Sequence, residues 1–209
     1  MSLWVVIPVK RLPLGKSRLA HLLPTWYRAE LMTGFLRRVL GVTRQIPEVD
    51  RILVMSSDER VWQVAHEMDV DVLPESGVTG LNTAVSQAVN YAVAHGATST
   101  LILPADLPFV QPSDLLQLIR AGKTAETPSM AICSDTRQDG TNALFLTPPT
   151  PFQFQYGPGS FQQHIQEAAR HHMHIHIVQA PGLQFDLDTE ADWYLYQQMA
   201  APNGHHIKD

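Results

Sequence analysis

Residues 3–19 read LWVVIPVKRLPLGKSRL, and this stretch sets the architecture. Its first seven residues form an unbroken apolar run, as expected of a strand buried on both faces. The run opens into the loop Lys10–Arg18, punctuated by Pro13 and Gly15 and carrying the cations Lys10, Arg11, Lys16 and Arg18. From Pro24 and Thr25 onward, Leu31, Phe35, Leu36, Val39 and Leu40 recur at helical spacing. Strand, loop and helix in this order begin a sheet of parallel strands.

The same alternation continues outward. Strands are predicted at 51–56, 70–73, 100–104 and 129–133, and helices at 59–67 (capped by Asp58), 81–95 (closed by Gly96) and near 113–121. After residue 135 the rhythm changes. A strand at 143–147 leads through a proline-rich loop, 148–159, to a helix at about 160–171, a strand at 174–178 and a last helix at 189–199. The expected fold class is α/β: a doubly wound, mostly parallel sheet in three α/β/α layers. No internal repeat or linker divides 1–209, so one domain is expected, with a frayed tail after Pro202.

Composition narrows the function. The chain has 209 residues, 44% hydrophobic and 17% charged, enough for a sizeable core and unlike a disordered chain. A net charge of -5 counts against non-specific nucleic-acid binding. Cys133 is the single cysteine, which excludes an intramolecular disulfide and a cysteine zinc site. No apolar run approaches the roughly 18 residues of a membrane span. No basic segment precedes the first apolar run, so a secretory signal is not expected and the cytoplasm is the default location. The charge is unevenly spread: residues 1–44 hold eight basic residues and one acid, leaving the remainder strongly acidic. This asymmetry points to an anionic ligand near the first segment. Arg28, Arg37, Arg38 and Arg44 read as a solvated helix face, while the cations of Lys10–Arg18 sit in a loop where backbone N–H groups are also free for a polyphosphate.

Ligands of such sheets bind beyond the carboxyl ends of the strands, which selects Lys10–Arg18 and Ala105–Pro108. Gly15-Lys16-Ser17 resembles the end of a P-loop, but Lys10 stands where that loop needs glycine, so the kinase and GTPase reading fails. Asp106 follows a strand directly; it reads as a metal anchor or as a cap of the next helix. Asp186 and Asp188 share one face of an extended segment, and Asp188 also reads as the N-cap of the last helix. His171, His172, His174 and His176 read as the wet face of an edge strand rather than a metal site, with Met173, Ile175 and Val178 as its apolar face. Cys133, Trp4, Phe35 and Trp193 read as core.

Several motifs act together: Ile7-Pro8-Val9-Lys10 with Gly15-Lys16-Ser17-Arg18-Leu19, Gly80-Leu81-Asn82-Thr83-Ala84, and Pro104-Ala105-Asp106-Leu107-Pro108. The most distinctive are Asp139-Gly140-Thr141-Asn142-Ala143-Leu144 and Phe154 with Tyr156-Gly157-Pro158-Gly159-Ser160-Phe161 and His164; Asp186-Leu187-Asp188-Thr189 closes the set. The chain thereby resembles, over nearly its whole length, the 2-phospho-L-lactate or phosphoenolpyruvate guanylyltransferases of coenzyme F-420 biosynthesis. It departs at Thr79-Gly80, where relatives often carry a more glycine-rich run.

The resemblance implies the nucleotidyltransferase version of the doubly wound sheet, of nucleotide-diphospho-sugar transferase type. Lys10, Lys16 and Arg18 would hold the phosphates of GTP, with Lys16 and Asp106 acting in catalysis. Gly80, Leu81 and Asn82, with Glu75 nearby, would line the guanosine pocket. Asp106 and Asp188, with Asp186 as a further candidate, would hold magnesium. Thr141, Asn142, Gly157 and Ser160 would bind a phosphorylated three-carbon acid: phosphoenolpyruvate, 3-phospho-D-glycerate or 2-phospho-L-lactate. It leaves room for an oligomer and for hand-over to the next enzyme of the pathway. The alternatives are another nucleotidyltransferase of this fold, such as a molybdopterin-guanylyl or cytidylyl transferase, and a non-catalytic GTP-binding module. Four lysines against eleven arginines do not resemble a hyperthermophile's chain, which favours phosphoenolpyruvate or 3-phospho-D-glycerate as the acid.

Overall fold

In β1, Leu3–Pro8, alternate side chains enter two separate cores, which places this strand in the middle of a layered sheet. Leu3, Val5 and Ile7 join one core, and Trp4 and Val6 join the other. A computed structural model describes residues 2–77, 80–124 and 126–200 of the chain. The expected tail after Pro202 lies outside them. The remaining strands are β2 (Arg51–Ser56), β3 (Asp71–Pro74), β4 (Ser99–Ile102), β5 (Ser129–Ser134), β6 (Thr141–Thr147) and β7 (His174–Ile177). They form a seven-stranded sheet in the order β3-β2-β1-β4-β6-β5-β7. The sheet is mostly parallel, as the alternating pattern requires. β6 is the exception, running antiparallel to both its neighbours, β4 and β5.

The helices are α1 (Thr25–Thr43), α2 (Glu59–Glu67), α3 (Leu81–Ala94), α4 (Pro112–Gly122), α5 (Ser160–Arg170), α6 (Pro181–Gln184) and α7 (Glu190–Ala200). Apolar side chains of α1, α2, α4, α6 and α7 fill the first core; those of α3 and α5 fill the second. Local chemistry explains the helix starts. The Asp58 carboxylate accepts from the Arg60 N–H at 2.9 Å and caps α2. Gln111 and Asp114 form a reciprocal capping box at α4, with Pro112 in its first turn. Asp106 therefore plays no part in capping that helix. Among the described residues no helix is long and apolar enough to cross a membrane.

Three readings need correction. The segment after β1 is not an open basic loop: it winds through two short 3-10 turns, Leu12–Leu14 and Ser17–Leu19, and buries Lys16 between them. Arg28 is only 6% exposed. Its guanidinium donates to the carbonyls of Leu23 and Gly15 and to Thr25 Oγ1, so it belongs to the inside of that loop rather than to a solvated face. β7 is an edge strand as expected, but Val178 packs in the first core while Met173 and Ile175 pack in the second, because residues of opposite parity cannot share a strand face. α6 had no periodic signal, being a single turn. Cys133, Trp4, Phe35 and Trp193 are buried as anticipated.

Near Ser134 the pairing of β5 with β6 shifts register: Cys133 pairs with Ala143, but Ser134 pairs with Thr141. Asn142 is thus one residue too many, a β-bulge. Straight alternation would turn Thr141 to the side of Ala143 and Asn142 to the side of Leu144. Instead Asn142 bonds α6 on the first face and Thr141 bonds α5 on the second. The bulge thus exchanges the sides that these two adjacent polar residues face at the strand's start.

Candidate active site

At the carboxyl ends of β1 and β4 lies a cavity of about 440 Å³. Lys10, Lys16, Arg18, Leu81, Asp106, Thr141, Asn142, Asp186 and Asp188, all candidates from the sequence, line it. Lys16 and Asp188, which meet there, are 172 residues apart in the chain.

The loop after β1 is fixed from below. The Asp58 carboxylate, besides capping α2, accepts from the Leu12 N–H at 2.8 Å, and Arg28 holds the Gly15 carbonyl. Lys16 adopts a left-handed backbone, φ 50°, which turns its side chain inward. Its ammonium, on a side chain 3% exposed, donates to Asp106 and, at 3.0 Å, to Asp188 Oδ1. Burial opposes the charge on Lys16, but the two carboxylates outweigh it and raise its pKa above the ordinary lysine value. Burial likewise works against the Asp188 carboxylate, yet Lys16, Arg18 and Lys10 hold its pKa below the usual range. Asp188 is not the cap of α7. Thr189 and Asp192 bond reciprocally at that helix start, the Asp192 carboxylate accepting from Thr189 N–H at 2.7 Å, so both Asp188 oxygens remain for the cavity.

Asp186 differs from its neighbour. Burial, reinforced by Asp106 and Asp188, pushes its carboxyl up to about 6, although the Asn142 amide donates to it at 3.3 Å. Three crowded carboxylates with hard oxygen donors fit a divalent cation, which would relieve the repulsion now met in part by Lys16. Among the described residues no ready cluster of three His, Cys, Asp or Glu ligands is assembled. Asp106 and Asp188 engage Lys16 instead.

On the opposite wall, Thr141 N–H donates to Ser160 Oγ at 2.9 Å, and Thr141 Oγ1 meets His164 Nδ1 at 3.0 Å. Ser160 is buried behind Thr141 and does not line the cavity. The N–H groups opening α5 are also engaged, Ser160 with Gly157 O and Phe161 with Asp139 O, so they are not the free donors expected of that helix start. Gly157, exposed, also stands outside the wall, in a left-handed φ of 136°.

Of the guanosine candidates, Leu81 alone lines the cavity. Glu75 accepts from Gly80 N–H at 3.4 Å beside it. The Asn82 amide is spent on the backbone of Tyr156, donating to its carbonyl at 3.1 Å and accepting from its N–H at 2.6 Å. Asn82 therefore ties α3 to the segment before α5. Thr79 lies outside the described residues.

Sequence reasoning missed Arg28 and Tyr156 as parts of the site. Tyr156 lines the cavity, and its buried hydroxyl has no hydrogen-bond partner among the described residues. The single available signal for Tyr156 was its place in the Tyr156–Phe161 motif.

The mostly parallel sheet with one reversed strand, with cations beyond β1 and Asp106 beyond β4, is a fold shared with solved nucleotidyltransferases. A solved structure from Desulfovibrio desulfuricans, assigned as a nucleotide-diphospho-sugar transferase, shares this fold with a TM-score of 0.76 at 14% identity, covering 97% of this chain and 90% of that one. Residues 3–208 match the family described as Guanylyl transferase CofC like, and the chain belongs to that family. It is 38% identical to the phosphoenolpyruvate guanylyltransferase of Rubrobacter xylanophilus over 92% of each chain. It is 30% identical to the 2-phospho-L-lactate guanylyltransferase of Methanothermobacter thermautotrophicus over 92% of this chain and 82% of the relative.

Proposed function

We propose that the protein transfers GMP from GTP to a small three-carbon acid bearing a phosphate and a carboxylate, releasing pyrophosphate, within coenzyme F-420 biosynthesis in the cytoplasm. Phosphoenolpyruvate and 3-phospho-D-glycerate are favoured over 2-phospho-L-lactate. The observation that carries this reading is the two-walled cavity: Lys10, Lys16 and Arg18 on one side, Thr141 and Asn142 on the other, and the three aspartates between them.

A phosphate oxygen of the acid attacks the α-phosphorus of GTP. The new P–O bond forms as the bond to the β-phosphate bridging oxygen breaks. The nucleophile is already an anion, so no general base is needed; the obstacle is repulsion between two polyanions. At 4 Å and an effective dielectric of 20, each pair of unit charges contributes about 4 kcal/mol. Lys16, released from its carboxylates, and Lys10 and Arg18 at the rim hold the phosphates and offset that repulsion. Asp106 and Asp188, with Asp186, would hold magnesium, which when bound supplies positive charge at the reacting phosphates. Leu81 packs on the guanosine, with Glu75 and Gly80 at the rim, while Asn82 fixes the floor through Tyr156. Thr141 and Asn142 face the acid, and Gly157 and Ser160 frame them.

The test is incubation with GTP, magnesium and each acid in turn, measuring pyrophosphate release. Transfer with GTP far above CTP, and with a phosphorylated three-carbon acid alone, is expected. No transfer to any of the acids, or a better pair in CTP with a sugar or alcohol phosphate, would overturn the reading.

A further inference from the structure

His164 is fully buried, and the hydrogen bonds around it leave one protonation pattern. The Gln155 backbone N–H donates to Nε2 at 3.0 Å. An amide can only donate, so Nε2 must present a lone pair and the ring proton sits on Nδ1. Nδ1–H then points at Thr141 Oγ1, 3.0 Å away. The hydroxyl accepts there, which leaves its own hydrogen for another acceptor. Among the described residues that hydrogen meets none, and Thr141 lines the cavity. Thr141 is held a second time from its backbone, through the bond from its N–H to Ser160 Oγ. The ring itself is clamped by Tyr156, edge-on with centroids 4.8 Å apart, and by Phe152 at 5.8 Å.

We propose that His164 is a positioning residue for acceptor-substrate recognition: by donating from Nδ1 to Thr141 Oγ1 it commits the Thr141 hydroxyl to donate into the cavity, to an anionic oxygen of the phosphorylated acid. The imidazole touches no substrate. Without its donor, the hydroxyl would be free to rotate and offer the anion a lone pair, which repels it. The buried triad Gln155–His164–Thr141 thus converts an ambivalent hydroxyl into a fixed donor. This rests on the guanylyl-transfer reading, in which the acid lies against Thr141.

Two amide substitutions separate this role from simple packing. In His164→Asn the amide nitrogen stands near the place of Nδ1, so the donor to Thr141 is kept and the acceptor for Gln155 is lost. In His164→Gln the amide stands near the place of Nε2, so the reverse holds. Steady-state kinetics with GTP, magnesium and phosphoenolpyruvate should show KM for the acid rising roughly tenfold or more in His164→Gln, the scale of one hydrogen bond to a charged group. His164→Asn should stay within a few-fold of wild type, and KM for GTP should hold in both. In a Thr141→Val background, which has no hydroxyl to orient, His164→Gln should add nothing further. Nitrogen NMR of the wild-type imidazole should report the Nδ1–H tautomer, a readout that survives if His164→Gln fails to fold. An Nε2–H tautomer, equal acid KM in the two variants, or an additive effect in the Thr141→Val background would overturn the proposal alone. A wild-type protein that transfers GMP to none of the three acids would overturn the functional reading and this proposal with it.

Discussion

The two walls of the cavity are held by different physics. On the side proposed for the nucleotide, Lys16 is locked between Asp106 and Asp188, and Arg18 reaches Asp188 at 3.5 Å. On the side proposed for the acid, Thr141, Ser160, His164 and Gln155 hold one another through neutral hydrogen bonds, with burial keeping the His164 pKa down at about 4. Charges on the first wall can change partners when a more highly charged ligand enters. Around Thr141 the second wall has no charge to exchange, and its bonds are set before the ligand arrives. A site that must bring two anions together gains from this division: movable cations where charge is greatest, fixed neutral donors where selectivity is needed.

Asp106→Asn should strike the charged wall hardest. It removes a carboxylate that would hold magnesium and a partner of Lys16, and turnover should fall by more than about a hundredfold. Circular dichroism should show the fold intact, since Asp188 still pairs Lys16; turnover within a few-fold of wild type would remove Asp106 from the site. Lys16→Ala comes next. GTP affinity, measured by calorimetry, should drop roughly tenfold to a hundredfold while KM for the acid holds. Raised salt should weaken GTP binding to the wild type and to this variant by similar factors, because the screened, exposed cations Lys10 and Arg18 remain in both while Lys16 is buried.

Arg28→Met tests whether the charged wall needs its buried support. Leaving the Gly15 and Leu23 carbonyls without their donor should lower stability by about 1–3 kcal/mol in thermal melts and weaken GTP binding. Arg28→Lys should recover little, since one ammonium cannot replace the guanidinium fork. Ser160→Ala probes the neutral wall. It should raise KM for the acid several-fold and leave GTP binding almost unchanged; equal loss of both would mean that the walls are not independent.

The smallest expected effect is a pH slope. Burial depresses the folded pKa of His164 to about 4 from 6.5, with the Glu167 charge acting in the opposite direction. Between those values the unfolded chain binds a proton that the folded one does not. The stability contributed is therefore full above about pH 6.5 and is lost as pH falls toward 4. Wild type should lose more stability than His164→Asn between about pH 7 and pH 5. Parallel melting curves would contradict the buried neutral imidazole.

The nucleotide side was the more legible of the two in the sequence. An apolar run before Lys10 and another before Asp106 suffice to place strand ends, because strands buried on both faces leave a plain record. Asp186 and Asp188 were found by period-two spacing, although α7 takes its cap from Thr189. Arg28 was misread because its position in α1 carries no trace of the Leu12–Leu19 turns folding back over it. The burial of Ser160 was illegible for a related reason. A hydroxyl at a helix start has the same sequence signature whether it faces a ligand or, as here, the N–H of Thr141. Where side chains are committed to one another across long separations, local pattern cannot tell a ligand contact from its support.

The bulge at Asn142 makes the site unusually intolerant of one kind of genetic change. Loops elsewhere in such sheets absorb single-residue insertions and deletions, whereas losing one residue here would restore strict alternation. Every apolar side chain from Ala143 to Thr147 would keep its place, and the protein would still fold. Thr141 would then directly precede Ala143 and keep its side toward α5, but the Asn142 amide that faces α6 and Asp186 would be gone. A frame-preserving deletion of Asn142 would take away that amide's bonds to the Leu183 and Gln184 carbonyls and to Asp186 while leaving the apolar pairing of β5 and β6 in register, a loss confined to one wall of the cavity.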